Sequence, residues 1–531
     1  MNEYDVVYPP KGRVKMDGGL NTKFERSIIS DNESPSCQNV VFTNGAVATR
    51  GGSTKLNTTA VGSFVGDGLY TRHENNGTAE TMIVFAGGTA WALTGTSTFA
   101  TIGSAQSVFT AGVRVGTAEF ENHMFIGNGG VTPYKWNGVA FTRHGVPAPT
   151  TTMTVAASAT GGTFAVATHV MYKMTFVNSA SVEGDVSPVT VTQAVGANGS
   201  IELSAIPTAP QSHGVAARRI YRAFEAAPTT FLRIATINDN TTTTFSDTEF
   251  PGSTAAPTDN GEPPKYNTIC SVQGRLFMND TANPNYIWYT NIYEPFTVGA
   301  LNFLPLGDGS FDLVRGVAAY ANGVVVQCAG GIYLLHMPTT DPTDWAVIRL
   351  RSSYGSKSPY GTFLYNNSLM VPAMQSGKFV GFAAVAGASI DPEATELDAG
   401  RAGSDLKSDR IEPDMFDVQE LYVGNISAMA FNNRAYIAVS DGDNQTTNNL
   451  VYLFDFSISN LAKSQEAAWV PLTGIAAAQF TVYDGKLYYI SSTATGFVYQ
   501  LEATAYSDNG SAIDSYFWTK EFSGIPGHES L

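Results

Sequence analysis

Residues Tyr483-Asp-Gly-Lys-Leu-Tyr-Tyr-Ile490, followed by Gly496-Phe-Val-Tyr-Gln-Leu501, read as a tight turn, a strand, a polar turn and a second strand. Asp-Gly tolerates the positive φ that a short hairpin turn demands. The alternating Tyr, Leu, Val and Ile give each strand one packed face. Working outward, the same design appears as Phe431-Asn-Asn-Arg-Ala-Tyr-Ile-Ala-Val439 with Leu450-Val-Tyr-Leu-Phe-Asp455, and as Tyr365-Asn-Asn-Ser-Leu-Met-Val371 with Lys378-Phe-Val-Gly-Phe382. It recurs as Tyr320-Ala-Asn-Gly-Val-Val-Val326 with Gly331-Ile-Tyr-Leu-Leu335, and as Ser271-Val-Gln-Gly-Arg-Leu-Phe-Met278 with Tyr286-Ile-Trp-Tyr289. The first two copies are Thr81-Met-Ile-Val-Phe-Ala-Gly-Gly88 with Trp91-Ala-Leu93, and Phe120-Glu-Asn-His-Met-Phe-Ile-Gly127 with Pro133-Tyr-Lys-Trp136.

A hairpin cannot bury both faces alone, so repeated hairpins must pack on one another. Recurrence at roughly 40 to 65 residues is the spacing of propeller blades with insertions. A β-sandwich also uses hairpins, but seven at this spacing favour the propeller. The expected fold is therefore all-β, a β-propeller of about six to eight blades. A strand from the N-terminal 60 residues is expected to help close it, with Asn39-Val-Val-Phe42 and Ala46-Val-Ala-Thr49 the β-prone stretches there.

Composition agrees. The chain has 531 residues, more than one ordinary domain holds, and 52 are glycine. Charged residues make up 14%, against about 25% in an average protein. Lys and Arg number 30 and Asp and Glu 46, a net charge of −16. Such a chain repels phosphate backbones rather than gripping them. Cys37, Cys270 and Cys328 are too scattered for a disulfide framework or a zinc site, and read as buried thiols of a protein made in a reducing cytosol. The N-terminus lacks the basic and apolar regions of a signal peptide, and no apolar run is long enough for a membrane helix, so no stable membrane insertion is expected.

One gap breaks the period. Between the second and third hairpins the chain holds a surplus of roughly 110 residues, the size of a sandwich domain. Pro/Thr-rich Gly145-Val-Pro-Ala-Pro-Thr150 opens it and Pro257-Thr-Asp-Asn-Gly-Glu-Pro-Pro264 closes it. Short strands are read at Met171–Val177, Val189–Val191, Ile201–Leu203, Arg219–Arg222, Phe231–Ile237 and Thr241–Asp247. Tyr172-Lys-Met-Thr-Phe-Val-Asn178, Glu183-Gly-Asp-Val-Ser-Pro188 and Arg218-Arg-Ile-Tyr-Arg222 resemble a fibronectin type III domain. The organisation is then residues 1–147 for the N-terminal segment and first blades, 148–259 for the inserted fibronectin III-like sandwich, and 260–531 for the remaining blades and a C-terminal extension.

A second insertion spans residues 389–421, with ten acidic and three basic residues, a net −7. Proline after Asp391 and Glu412 predicts short helices with acidic first turns. Asp405, Asp409, Glu412, Asp414 and Asp417 are the candidate channel or subunit-contact residues; a solvated loop is the bland alternative. The cations available for a neighbouring subunit are Arg401, Lys407 and Arg410.

Catalytic signals are weak. The chain has no GxSxG, HExxH, P-loop or GxGxxG pattern, and its seven histidines lack ligand spacing. Asp441-Gly-Asp-Asn-Gln445 lacks the EF-hand pattern and reads as a hairpin tip. Asp441, Asp443, Asp455 and Asp484 could pair as glycosidase carboxylates, but nothing in their spacing pairs them. No enzyme, cofactor or metal is expected.

The N-terminus carries a recognisable pattern: Met16-Asp-Gly-Gly-Leu-Asn-Thr-Lys-Phe-Glu-Arg26, then Glu33-Ser-Pro-Ser-Cys-Gln-Asn-Val40, then Arg50-Gly-Gly52. It resembles the opening of tail nozzle proteins of short-tailed bacteriophages, also called tail tubular protein B or DNA-stabilisation proteins. Asn509-Gly-Ser-Ala-Ile-Asp-Ser-Tyr-Phe-Trp-Thr-Lys-Glu-Phe522 is typical of the same phage structural proteins, and Ser408-Asp-Arg-Ile-Glu-Pro413 is a weaker match. The resemblance implies a structural virion protein, made in the host bacterial cytoplasm and assembled as a homo-oligomeric ring, usually a hexamer. It implies a tail adaptor and tail fibre or tailspike proteins as neighbours. Viral DNA would pass through the ring at ejection without sequence-specific binding. The alternative is a carbohydrate-binding β-propeller, or adhesin, whose exposed aromatics stack on sugars.

Overall fold

The computed structural model describes residues 15–43, 45–74, 77, 79–103, 107–165, 168–306, 312–321, 323–350, 354–365, 368–385, 406–458 and 467–520. The protein is almost entirely β, built from many small antiparallel sheets. Each of the seven hairpins read from the sequence is a pair of antiparallel strands. No helix among the described residues is long and apolar enough to cross a membrane. The chain divides into two compact units, Met1–Leu69, Gly95–Thr98 and Leu350–Leu531 in one, Tyr70–Thr94 and Phe99–Arg349 in the other.

The first unit holds three sheets around one core. Phe363–Tyr365, Ser368–Gln375 and Lys378–Val385 form the first, Ser427–Phe431, Arg434–Val439, Leu450–Asp455 and Ala468–Leu472 the second. Their rings interlock: Phe382 stacks on Trp469, and Phe363 and Tyr365 meet Phe454. The third sheet has Ala477–Tyr483, Lys486–Ser491 and Val498–Ala503, and its next strand comes from the N-terminus, Gly52–Lys55. Gln500 lies opposite Thr54 and Ala503 opposite Gly52. The two β-prone stretches pair with each other instead, as Val40–Thr43 against Ala46–Thr49. Sequence polarity hides this N-terminal strand, because Gly-Ser-Thr-Lys has no apolar face and takes its conformation from its partner. A Cβ on Gly52 would lie 2.0 Å from the Ser507 carbonyl oxygen, so only glycine allows that approach.

In the second unit, four-stranded sheets pack in succession. Gly66–Glu74, Ala79–Ala86, Thr89–Thr94 and Thr98–Thr101, all but residues 66–69 and 98 of which belong to this unit, form one, and Gly116–Phe120, His123–Gly127, Tyr134–Trp136 and Phe141–Arg143 the next. A core of Ile83, Phe85, Phe109, Met124 and Trp136 lies between them. Two further sheets, spanning residues 269–305 and 314–349, share the core of Phe277, Tyr289, Val324, Val326 and Leu335.

The surplus residues form a sandwich with its own core. Thr154–Gly161, Gly199–Ser204 and Phe245–Asp247 make one sheet; Gln193–Val195, Thr168–Asn178, Val215–Phe224 and Leu232–Ile237 make the other. Met153, Tyr172, Met174, Phe176, Ile201, Leu203 and Ile220 fill the space between. Arg222 and Asp247 form a buried ion pair at 2.8 Å, and the Tyr172 hydroxyl also donates to Asp247 at 2.8 Å. The strand expected at Val189–Val191 lies instead at Gln193–Val195. Ser187 and Thr190 do bond to Met174 and Tyr172, but Pro188 between them has no N–H and interrupts the ladder. The chain enters the sandwich beside buried His144, whose Nε2 donates to the Pro295 carbonyl at 2.7 Å, leaving Nδ1 to accept from the Tyr266 hydroxyl at 2.9 Å. Burial lowers the His144 pKa to about 3.

Candidate functional site

The acidic insertion is described from Leu406 onward; Asp405 and Arg401 lie outside the described residues. Its local path follows from a few contacts. Leu406 bridges to Ala383, and the Lys407 N–H donates to the Phe382 carbonyl at 2.8 Å. The Ser408 hydroxyl oxygen accepts the Phe382 N–H at 3.0 Å. Gly381, at φ +128°, makes room, since a Cβ there would lie 1.9 Å from that oxygen. Two helical turns follow, Asp409–Ile411 and Glu412–Met415, with Pro413 in the first turn as the sequence predicted. Ile411, Met415 and Val418 sink into the core of the first unit. The exit is held by the Gln419 N–H on the Ser440 carbonyl, 2.9 Å, and the Gly442 N–H on the Asp417 carbonyl, 3.0 Å.

The acids on the outer side are met by the N-terminal motif. Thr22 and Lys23 both donate their backbone N–H to the Arg410 carbonyl, at 3.0 and 3.2 Å. The Lys23 ammonium bonds to Asp409 and reaches Glu412 at 3.2 Å, and the bond to Asp409 is the main cause of its raised pKa. The Thr22 hydroxyl donates to Asp414. Burial pushes the Asp414 carboxyl up, the Thr22 bond pulls it down, and the charge of Asp417 adds to the rise. Asp441, on the hairpin tip beside them, rises to about 6 through burial and the charges of Asp417 and Asp414. Arg410 is not free for a neighbouring subunit by itself: its guanidinium pairs at 2.9 Å with Glu33, a buried carboxylate that also accepts from Asn21 and Ser30 at 2.9 Å each.

The candidates therefore separate. Asp409 and Glu412 share Lys23, Asp414 is held by Thr22, and Asp417 lies near Asp441. Phe416 and Leu421 of the same segment are exposed, at 57% and 88%. Lys23, Thr22 and Glu33 were missed as part of this site. Their separation from it, nearly 390 residues for Lys23, leaves no local signal. Next to the segment lies an open cavity of about 600 Å³, lined by Tyr354, Gln375, Ser376, Lys378, Val380, Leu406, Asp409, Glu412 and Phe416.

No family profile and no curated protein matches this chain. Solved structures match loosely. The dihydro-heme d1 dehydrogenase NirN is 9% identical with a TM-score of 0.27; the match covers 60% of this chain and 57% of NirN. Hsv2p of Kluyveromyces lactis is 9% identical with a TM-score of 0.26, over 76% of this chain and 96% of that one. YCF48 bound to D1 peptide is 12% identical with a TM-score of 0.25, over 68% and 99%. These are β-propeller proteins.

Proposed function

We propose that the chain is a structural virion protein, the nozzle of a short phage tail. In this reading the seven sheets are blades of one propeller, and residues 148–259 are a fibronectin III-like module carried on it. Copies associate as a ring, usually of six, on a tail adaptor and beside fibre or tailspike proteins, and DNA passes through at ejection. The observation that carries the reading is the meeting of the two stretches that resemble nozzle proteins. Although they stand at opposite ends of the chain, Cys37 pairs with Phe517, the Asn39 amide donates to the Asp514 carbonyl at 2.7 Å, and the Asn509 N–H donates to the Ser53 carbonyl at 2.7 Å.

The acidic segment fits a channel or subunit contact in this reading. Exposed Phe416 and Leu421 offer apolar contact, while Asp417 and Glu420 keep the surface negative. A negative collar repels DNA phosphates within about one Debye length, about 8 Å at physiological salt, so a duplex slides without sticking. The test is assembly of the full chain, read by mass and by two-dimensional class averages of negatively stained particles. A closed ring of fixed stoichiometry that co-purifies with tail proteins supports the nozzle. A strictly monomeric chain at all concentrations, with no affinity for tail proteins, overturns it.

A further inference from the structure

We propose that the cavity beside the acidic segment is a binding site for an uncharged saccharide. This goes beyond the nozzle reading and does not depend on it. The lining decides the ligand class. Phe416, 57% exposed, and Tyr354 supply aromatic rings, and Val380 and Leu406 supply apolar surface. Sugar rings present C–H faces that pack on such rings. Gln375, Ser376 and Lys378 bring donors, and Asp409 and Glu412 bring acceptors, to the same space. A mixed set of that kind suits an array of hydroxyls, each of which donates and accepts.

Charge excludes the other classes. Lys23 already bridges both carboxylates, so a cationic ligand would have to displace it. An anion, nucleic acid included, would face Asp409 and Glu412. The lining itself carries Lys378 against Asp409 and Glu412; Lys23, outside the lining but paired with both carboxylates, brings the local charge to balance, which favours a neutral guest. The volume of about 600 Å³ lies in the range of small-molecule sites and admits a short oligosaccharide.

The experiment uses the full chain on an array of bacterial surface glycans and short oligohexoses, followed by calorimetric titration with the tightest trisaccharide. Binding should weaken about tenfold in Phe416→Ala, the loss expected of one ring contact. Phe416 is a surface residue, so that variant should keep the wild-type melting temperature. Asp409→Asn should weaken binding again. Trp518→Ala, which removes a different exposed ring at 52% exposure, should leave it unchanged. No binding to any glycan, or binding lost in Trp518→Ala and kept in Phe416→Ala, overturns the proposal. Ring assembly is read on the wild-type chain, independently of these variants, so the nozzle reading stands or falls separately.

Discussion

Arg50 and Asp508, 458 residues apart in sequence, form a two-pronged ion pair, with Nη1 on Oδ1 at 3.0 Å and Nη2 on Oδ2 at 2.5 Å. The guanidinium also donates to the carbonyls of Gly51 and Thr473 and to Asn39 Oδ1, so its buried donors are spent on both ends of the chain. Arg50→Ala leaves Asp508 without its partner and should cost about 3–5 kcal/mol. Arg50→Lys keeps the charge but loses the fork, and should recover only part of that. Unfolding midpoints of these variants, of Asp508→Ala and of Arg50→Ala/Asp508→Ala test this; strict additivity of Arg50→Ala and Asp508→Ala would show the pair to be idle.

Removing residues 1–56 deletes Arg50 and the strand Gly52–Lys55, which leaves Val498–Ala503 as an unpaired edge. The truncated chain should be insoluble. A soluble protein with a cooperative melt would mean that the last sheet does not need its N-terminal strand. Gly52→Ala should reproduce much of the defect through its clash with the Ser507 carbonyl.

Two groups should give opposite responses to acid. The Asp441 pKa is raised to about 6. Between its ordinary value and 6 the folded state binds the extra proton, so this group stabilises the fold as pH falls through 6. Asp441→Asn should therefore stabilise at pH 7.5, by about 1 kcal/mol after allowing for its partial exposure, and be neutral at pH 4. The His144 pKa is lowered to about 3. From pH 6.5 down towards 3 the unfolded state binds the extra proton, so this group costs stability as pH falls. The acid side of the wild-type stability profile should flatten in His144→Asn, even though that variant is weaker at neutral pH. A slope unchanged by that substitution would remove His144 from the account.

The hairpins were legible in the sequence because their causes are local. Asp484 and Gly485, Asn432 and Asn433, and Ser376 and Gly377 all take positive φ at the turns, and the apolar alternation lies beside them. The helical turn at Glu412 was legible through Pro413. The strand Thr154–Gly161 was not, because both its faces are largely exposed and it shows no alternation. Nor were the partners of the acidic segment. Lys23 and Thr22 reach it only through the fold, and the balance of charge around Asp409 and Glu412 is a tertiary property.

The sandwich carries its own core and buried ion pair, so residues 148–259, expressed alone, should give β-type circular dichroism and a single cooperative melt. A disordered spectrum would show that it depends on its flanking sheets. Arg222→Ala should destabilise the isolated segment by about 3 kcal/mol, because the buried Asp247 carboxylate loses its cation and keeps only neutral donors, the Tyr172 hydroxyl and the Glu249 and Phe250 N–H groups.

Replacing Asp405, Asp409, Glu412 and Asp414 by Asn or Gln removes the two carboxylates paired with Lys23 and makes the segment less negative. If the segment faces DNA in the assembled tail, particles should still form and release DNA more slowly, most visibly at low salt. Release unchanged at every salt concentration would place the segment away from the channel.

The junction of chain ends also sets a timetable for synthesis. The Val498 N–H donates to Asn57 Oδ1 across 441 residues, so during synthesis Asn57 waits for Val498 before that bond can form. At about 5–20 residues per second that wait lasts roughly 20 to 90 s. Until then the N-terminal segment stands open to chaperones and proteases. A product that stops before Val498–Ala503 never receives that strand, so Gly52–Lys55 stays without its partner until synthesis has passed residue 503.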